Sequence, residues 1–255
     1  SIQLKFDFNE CSVLVTGSSR GIGREIAEGF INCGAKVIFN GLNRKNLIDV
    51  LQELNIDKKY CVQADVRDPK DAKRLIDLSE KVLKKIDVIV CNVGSGRSVK
   101  PGCENYQEWQ RVFNQNLWST TNIIEAGKES LKKTKGTFIC ISSICGHEVI
   151  DNAPITYSTA KAALNFYIRS ISRTLGKDKV RINGISPGNI LFEGSIWEKN
   201  LKNNPDLVND VLKNVPLSRL GTPQDISNLC LWLASKEASF CTGSIFKVDG
   251  GQIRN

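Results

Sequence analysis

Short apolar runs alternate with longer segments whose apolar residues recur at helical spacing, and this rhythm covers nearly the whole chain. Val13-Leu14-Val15 precedes a predicted helix over 22–33, a strand over 35–39 precedes a helix over 43–54, and a strand over 60–64 precedes a helix over 69–83. A strand over 86–90 leads into a long helical segment over 105–133. A strand over 136–141, a helix over 154–175 and strands over 180–185 and 243–248 complete the series. Continuous apolar strands are buried on both faces, and helix-length spacers allow them to run parallel. The pattern predicts a single doubly wound α/β domain over residues 1–255, with about seven parallel strands and helices on both faces. No linker or internal repeat divides it.

Residues 189–215 break the rhythm. They carry Gly194, a polar cluster over 199–205 and two apolar anchors, Trp197 and Leu207. The segment follows a strand's carboxyl end, where open α/β sheets bind ligands, and reads as a small substrate lid, with a fixed surface excursion as the alternative.

Composition narrows the class. With 41% hydrophobic and 24% charged residues, 255 residues can bury one substantial core. No apolar run approaches the roughly 18 residues of a membrane helix. The stretch Ser1 to Asp7 lacks a leader-like layout, so a cytoplasmic protein without membrane association is expected. Nine cysteines without a Cys-x-x-Cys, and a single histidine, leave little for a metal site. Most of the cysteines are expected to be buried and reduced. The net charge of +8 is spread over many amphipathic segments, which suits phosphate-bearing ligands better than nucleic acid.

Two motifs carry chemistry. Thr16-Gly17-Ser18-Ser19-Arg20-Gly21-Ile22-Gly23 lies between the first strand and the first helix. There, glycines allow a tight turn and bring a phosphate to the positive end of a helix. Tyr157 and Lys161 stand four residues apart, on one helix face. A cation one turn from a phenol favours the phenolate, as acid/base work near neutrality requires.

The glycine loop matches the Thr-Gly-x-x-x-Gly-x-Gly signature of the short-chain dehydrogenase/reductase family, and the resemblance spans nearly the whole chain. Asp65-Val66, Cys91-Asn92-Val93-Gly94, Asn114-Gln115-Asn116-Leu117, Ile141-Ser142-Ser143, Tyr157-x-x-x-Lys161, Pro187-Gly188 and Val248-Asp249-Gly250-Gly251 fall in the family's order. The similarity to 3-oxoacyl-carrier-protein reductases is general. The resemblance implies a Rossmann-type fold and an oxidoreductase that interconverts a carbonyl and a secondary alcohol. By it, Tyr157 is the general acid/base, Lys161 lowers its pKa and holds the nicotinamide ribose, Ser143 polarises the substrate, and Asn116 fixes a proton-relay water. Gly17, Ser19, Arg20, Gly21, Ile22 and Gly23 would hold the dinucleotide phosphates. Asp65, Val66, Asn92, Val93, Gly94, Pro187, Gly188 and Ile190 would complete that site.

No acid ends the second strand, at Phe39-Asn40-Gly41-Leu42. Arg20 resembles the basic residue of NADP-dependent members and Arg44 could join it, so NADP(H) is favoured, with NAD(H) the alternative. Phe192 stands where the family often has a threonine, with Ser195 or the backbone near Ile190 as compensation. His147 is either a substrate contact or, as the favoured reading, a surface loop residue. The substrate is expected to be a 3-oxoacyl thioester or similar ketone, with an acyl-carrier protein that meets Lys128, Lys132, Arg169 or Arg173 as one candidate carrier. A keto-sugar or polyol is the enzymatic alternative, and a non-catalytic dinucleotide-binding regulator the alternative of another class. A homodimer or homotetramer is implied by the resemblance.

Overall fold

A computed structural model describes residues 5–254; residues 1–4, part of the N-terminal stretch read above, and residue 255 lie outside the described residues. Seven parallel strands form one sheet: β1 (Ser12–Val15), β2 (Lys36–Gly41), β3 (Cys61–Gln63), β4 (Val88–Cys91), β5 (Thr137–Ile141), β6 (Arg181–Pro187) and β7 (Ile245–Val248). The spatial order is β3-β2-β1-β4-β5-β6-β7. Direction therefore reverses between β1 and β4, and a crevice opens at their carboxyl ends.

The absence of polar alternation has a direct structural cause. Val13, Val15, Val37, Phe39, Val88, Val90 and Ile139 point to one face, while Leu14, Ile38, Ile89, Phe138 and Cys140 point to the other. The first face is covered by α1 (Gly21–Asn32), α2 (Arg44–Glu53) and, further along the chain, Pro223–Ala234. The second is covered by α3 (Pro69–Leu83), α5 (Ser119–Thr134) and α6 (Ile155–Leu175), with α4 (Tyr106–Phe113) preceding α5. Fully buried Phe30, Phe39 and Phe138 each contribute about 1.5–3 kcal/mol by leaving water.

Three elements differ from the sequence pattern. The segment over 105–133 is two helices, α4 and α5, joined by a π-helical turn at Asn114–Trp118. Residues 189–215 fold into α7 (Ile196–Asn203) and α8 (Pro205–Lys213). Of the two expected anchors, Trp197 is half-buried but Leu207 is exposed, and Val208 supplies α8's buried contact. The helix α9 (Pro223–Ala234) was not anticipated, although Thr222 and Asp225 form a reciprocal capping box at its start. It packs Ile226, Cys230 and Leu233 beside α1. The nine cysteines are all free, and four of them, Cys61, Cys91, Cys140 and Cys230, are buried.

Candidate active site

The glycine loop leaves β1 directly into the crevice. Gly17 and Gly21 adopt positive φ, 63° and 55°, which glycine reaches without strain. A Cβ on Gly23 would stand 2.3 Å from Gly17 O and 2.4 Å from Asn92 Nδ2, so only a glycine closes this turn. Asn92 fastens the loop from β4: its amide donates to Thr16 O at 3.1 Å and Gly17 O at 3.0 Å. The helix that follows has no side-chain cap at Arg20 and no acid in its first turn. Its positive end is thus left to an anion, which fits a dinucleotide phosphate.

Fully buried Asn40, which the sequence reading passed over, organises this end of the sheet. It exchanges hydrogen bonds with Ser18, accepting Ser18 N–H at 2.9 Å on its carbonyl and donating N–H to Ser18 Oγ at 2.9 Å. Its side chain donates to Val62 O and Ala64 O at 3.1 and 3.2 Å, tying β2 to β3. Next to it, Gly41 ends β2 with ordinary φ. The nearest atoms to a Cβ there would be Leu47 Cδ2 at 3.5 Å, Leu47 Cγ at 3.7 Å and Ser19 Oγ at 3.7 Å.

The predicted adenine-side residues gather less simply. Asp65 lies past the end of β3 with its carboxylate paired to Arg67 at 2.7 Å, which holds it below the usual carboxylate range. Val66 and Val93 are fixed through carbonyls that accept from Asn122 and Ser119 of α5. Arg20 and Arg44 have different neighbours. Arg20 approaches Gly194, whereas Arg44 starts α2, is exposed and lies beside Cys61.

At the carboxyl end of β5, Ser143 accepts Cys145 N–H at 3.2 Å, and it lies close enough to the Tyr157 phenol to favour the phenolate. Ser142 is turned away, donating to Asn165 Oδ1 at 2.6 Å, as a supporting serine should. Tyr157 and Lys161 lie on one face of α6, with Lys161 Nζ 5.9 Å from the Tyr157 ring centroid. Lys161 is 3% exposed and donates to Ile141 O at 2.9 Å. A Cβ on Gly94 would lie 3.0 Å from Asn116 Oδ1 and 3.1 Å from Lys161 Nζ, so these two polar groups meet over Gly94. Asn116 accepts Ser95 N–H at 2.8 Å and donates to Ser95 O and Val112 O. Both Nδ2 hydrogens and one Oδ1 acceptor site thereby pin the loop after β4.

Burial pushes the Tyr157 phenol up to about 12, opposed by Ser143, while burial pulls Lys161 down to about 8. The half-buried Tyr157 ring still borders the crevice, with Gly96 alongside it.

Beyond β6, Gly188 donates to Val248 O at 2.9 Å, and a Cβ there would strike Asp249, so Pro187-Gly188 is held tightly against β7. Ile190 is buried and bridges to Gly221; the bridge uses Asn189 O and Leu191 N–H. Ser195, offered in place of the absent threonine, caps α7 with its hydroxyl, accepting Phe192 N–H and Glu198 N–H at 3.2 and 3.1 Å. His147 is not a free surface residue. It is half-buried and hydrogen-bonded to Ser186 at 2.9 Å, and burial with Arg169 and Lys247 nearby lowers its pKa. Among the described residues, no helix is long and apolar enough to cross a membrane.

Comparison with known proteins places this arrangement. The family model described as enoyl-(acyl carrier protein) reductase matches residues 17–252. The chain is 30% identical to 7α-hydroxysteroid dehydrogenase of Escherichia coli K12, over 100% of this chain and 98% of that protein. It is 34% identical to the 3-oxoacyl-[acyl-carrier-protein] reductase FabG of Chlamydia muridarum, over 94% and 96%. A solved structure of 7α-hydroxysteroid dehydrogenase with NADH and 7-oxo glycochenodeoxycholic acid superposes with a TM-score of 0.88 at 27% identity, covering 98% of this chain and 97% of that one. The chain belongs to the short-chain dehydrogenase/reductase family, whose members are oxidoreductases acting on hydroxyl and carbonyl groups.

Proposed function

We propose that this protein is an NADP(H)-dependent oxidoreductase that interconverts a carbonyl and a secondary alcohol, with Tyr157 as general acid and base. The observation that carries the reading is the meeting of Ser143, Tyr157 and Lys161 at the end of β5, beside the crevice that the glycine loop enters. A bound nicotinamide dinucleotide supplies or accepts the hydride. Gly17, Ser19, Arg20, Gly21, Ile22 and Gly23 hold its phosphates, and Asp65, Val66, Asn92, Val93, Gly94, Pro187, Gly188 and Ile190 line the remainder of its site.

The chain's own groups account for proton movement. Burial favours the protonated form of Tyr157, which gives its proton to a carbonyl oxygen in reduction. Ser143, in contact with the phenol, orients the same oxygen. The charge of Lys161 stabilises the phenolate that develops as the proton leaves. In a relay role Asn116 would use its Oδ1, since both Nδ2 hydrogens are already donated and Oδ1 accepts only Ser95 N–H.

A pH dependence follows. Lys161 is lowered to about 8, so it is cationic below that pH and neutral above it, while Tyr157 stays protonated throughout. Reductive kcat/KM should be flat below about pH 8 and fall above it, and Lys161→Met should lose that limb. A wild-type profile that rises through pH 8 contradicts this assignment.

Gly41 supports the choice of NADP(H): it leaves the end of β2 without a carboxylate, next to the Ser19 hydroxyl. For the substrate, similarity to the Chlamydia reductase supports a 3-oxoacyl thioester or similar ketone. Polar groups in the loops at the crevice, among them Arg97 and Glu148, favour the second reading, a keto-sugar or polyol. Lys128 and Lys132, offered for a carrier protein, are already ion-paired with Glu125 and Asp178.

Residues 189–215, nearly all of which lie between the two ends of the Ile190–Gly221 bridge, form the lid. Tyr106 and Phe166, 70% and 71% exposed on α4 and α6, support a homodimer or homotetramer. Light scattering should give at least twice the chain mass, and a monomer contradicts that assembly.

A further inference from the structure

Phe192 is seated on the glycine loop. A Cβ on Gly21 would lie 2.7 Å from Phe192 Cε2 and 3.0 Å from both Cδ2 and Cζ, so three ring atoms press against the Gly21 Cα. The ring is partly buried with Ile22 and Ile190 in the apolar cluster on that face. Two residues on, Gly194 brings the chain to Arg20, whose Nη1 lies 3.4 Å from where a Cβ would stand.

The ring is held by a fixed turn. Phe192 N–H donates to Ser195 Oγ at 3.2 Å, and Ser195 N–H donates to Phe192 O at 3.0 Å. Gly194 N–H donates to Glu198 Oε2 at 2.7 Å, linking the turn to the first turn of α7. Phe192 and α7 are therefore mechanically one piece.

Beneath this ring lies the start of α1, which has neither a capping side chain nor an acid in its first turn. An apolar ring seated on the first residue of an uncapped helix is a poor match for that helix's positive end. The mismatch has a use if the ring is a temporary occupant.

We infer that Phe192 is an internal gate on the dinucleotide site: its ring rests on Gly21 and must withdraw before a phosphate reaches the start of α1, and its withdrawal moves the 192–195 turn and α7 together. The inference rests on the reading that the glycine loop binds a nicotinamide dinucleotide. A population that is mostly closed weakens apparent affinity by the open fraction, so removing the ring tightens binding.

The test is NADPH binding by the full chain, read as energy transfer from tryptophan, at equilibrium and by stopped flow. Phe192→Thr should tighten Kd about tenfold. In the wild type the observed association rate should level off with rising NADPH as opening becomes limiting, whereas in Phe192→Thr it should keep rising linearly. Equal or weaker binding by a folded variant would make the ring a ligand contact or a packing residue, and overturns the gate. If the variant does not fold, the wild-type trace decides: a linear dependence without a plateau overturns the gate by itself. A wild type that binds neither NADPH nor NADH removes the dinucleotide reading itself, and the gate with it.

Discussion

Replacing Tyr157 by phenylalanine is expected to lower kcat for carbonyl reduction by about 10²–10⁴-fold while leaving NADPH binding within about twofold. The substitution deletes one hydroxyl and keeps the ring. Gly96 approaches Tyr157 at the ring carbons, 3.7 Å from Cε1 and 3.8 Å from Cζ in terms of its Cβ position, so the packing of the loop after β4 survives. Lys161 is held by Ile141 O and not by the phenol, so its position survives as well. What is lost is the hydroxyl that gives the proton, next to Ser143. A truncation of Lys161 would be harder to read, because it empties a buried site. Steady-state kinetics with a parallel binding titration distinguish the cases: kcat reduced less than about tenfold at unchanged affinity would remove Tyr157 from the chemistry.

Gly41→Asp should lower the NADPH-to-NADH ratio of kcat/KM by about tenfold to a hundredfold, chiefly through KM for NADPH. The backbone accepts the change, since φ is ordinary and the nearest atoms, on Leu47 and Ser19, lie at van der Waals distance. A carboxylate at this point accepts ribose hydroxyls and repels a 2′-phosphate. The effect on stability should be small, because the helix that follows is capped by Asn43 and not by Gly41. Measuring both cofactors on wild type and variant with one substrate gives the ratio directly. A variant that keeps the wild-type ratio would show that the phosphate is read elsewhere, for instance by Arg20 or Arg44.

The features that were legible in the sequence are local ones. Tyr157 and Lys161 needed only the helical repeat, and the glycine loop needed only its place between a strand and a helix. The doubly wound sheet followed from strands without polar alternation, and Val13, Leu14 and Val15 indeed point alternately into two cores. The features that were missed depend on contacts between distant residues. Asn40 joins Ser18, Val62 and Ala64, and nothing around Asn40 in the chain announces that. His147 finds Ser186 across 39 residues. The burial that raises the Tyr157 phenol is not revealed by spacing. Two signals were present and unused: Ser195-Ile196-Trp197-Glu198 carries the spacing of a capping box, and Thr222-Pro223-Gln224-Asp225 starts α9.

The central claim is a carbonyl–alcohol oxidoreductase with NADP(H). It is tested most directly by following NADPH and NADH oxidation by the purified protein against a panel of 3-oxoacyl thioesters and keto-sugars. Substrate-dependent oxidation is expected, faster with NADPH, with thioesters turned over. Turnover of sugars alone would move the substrate to the second reading and leave the mechanism intact. Tight NADPH binding with no substrate-dependent oxidation anywhere in the panel would contradict the account and favour a dinucleotide-binding regulator.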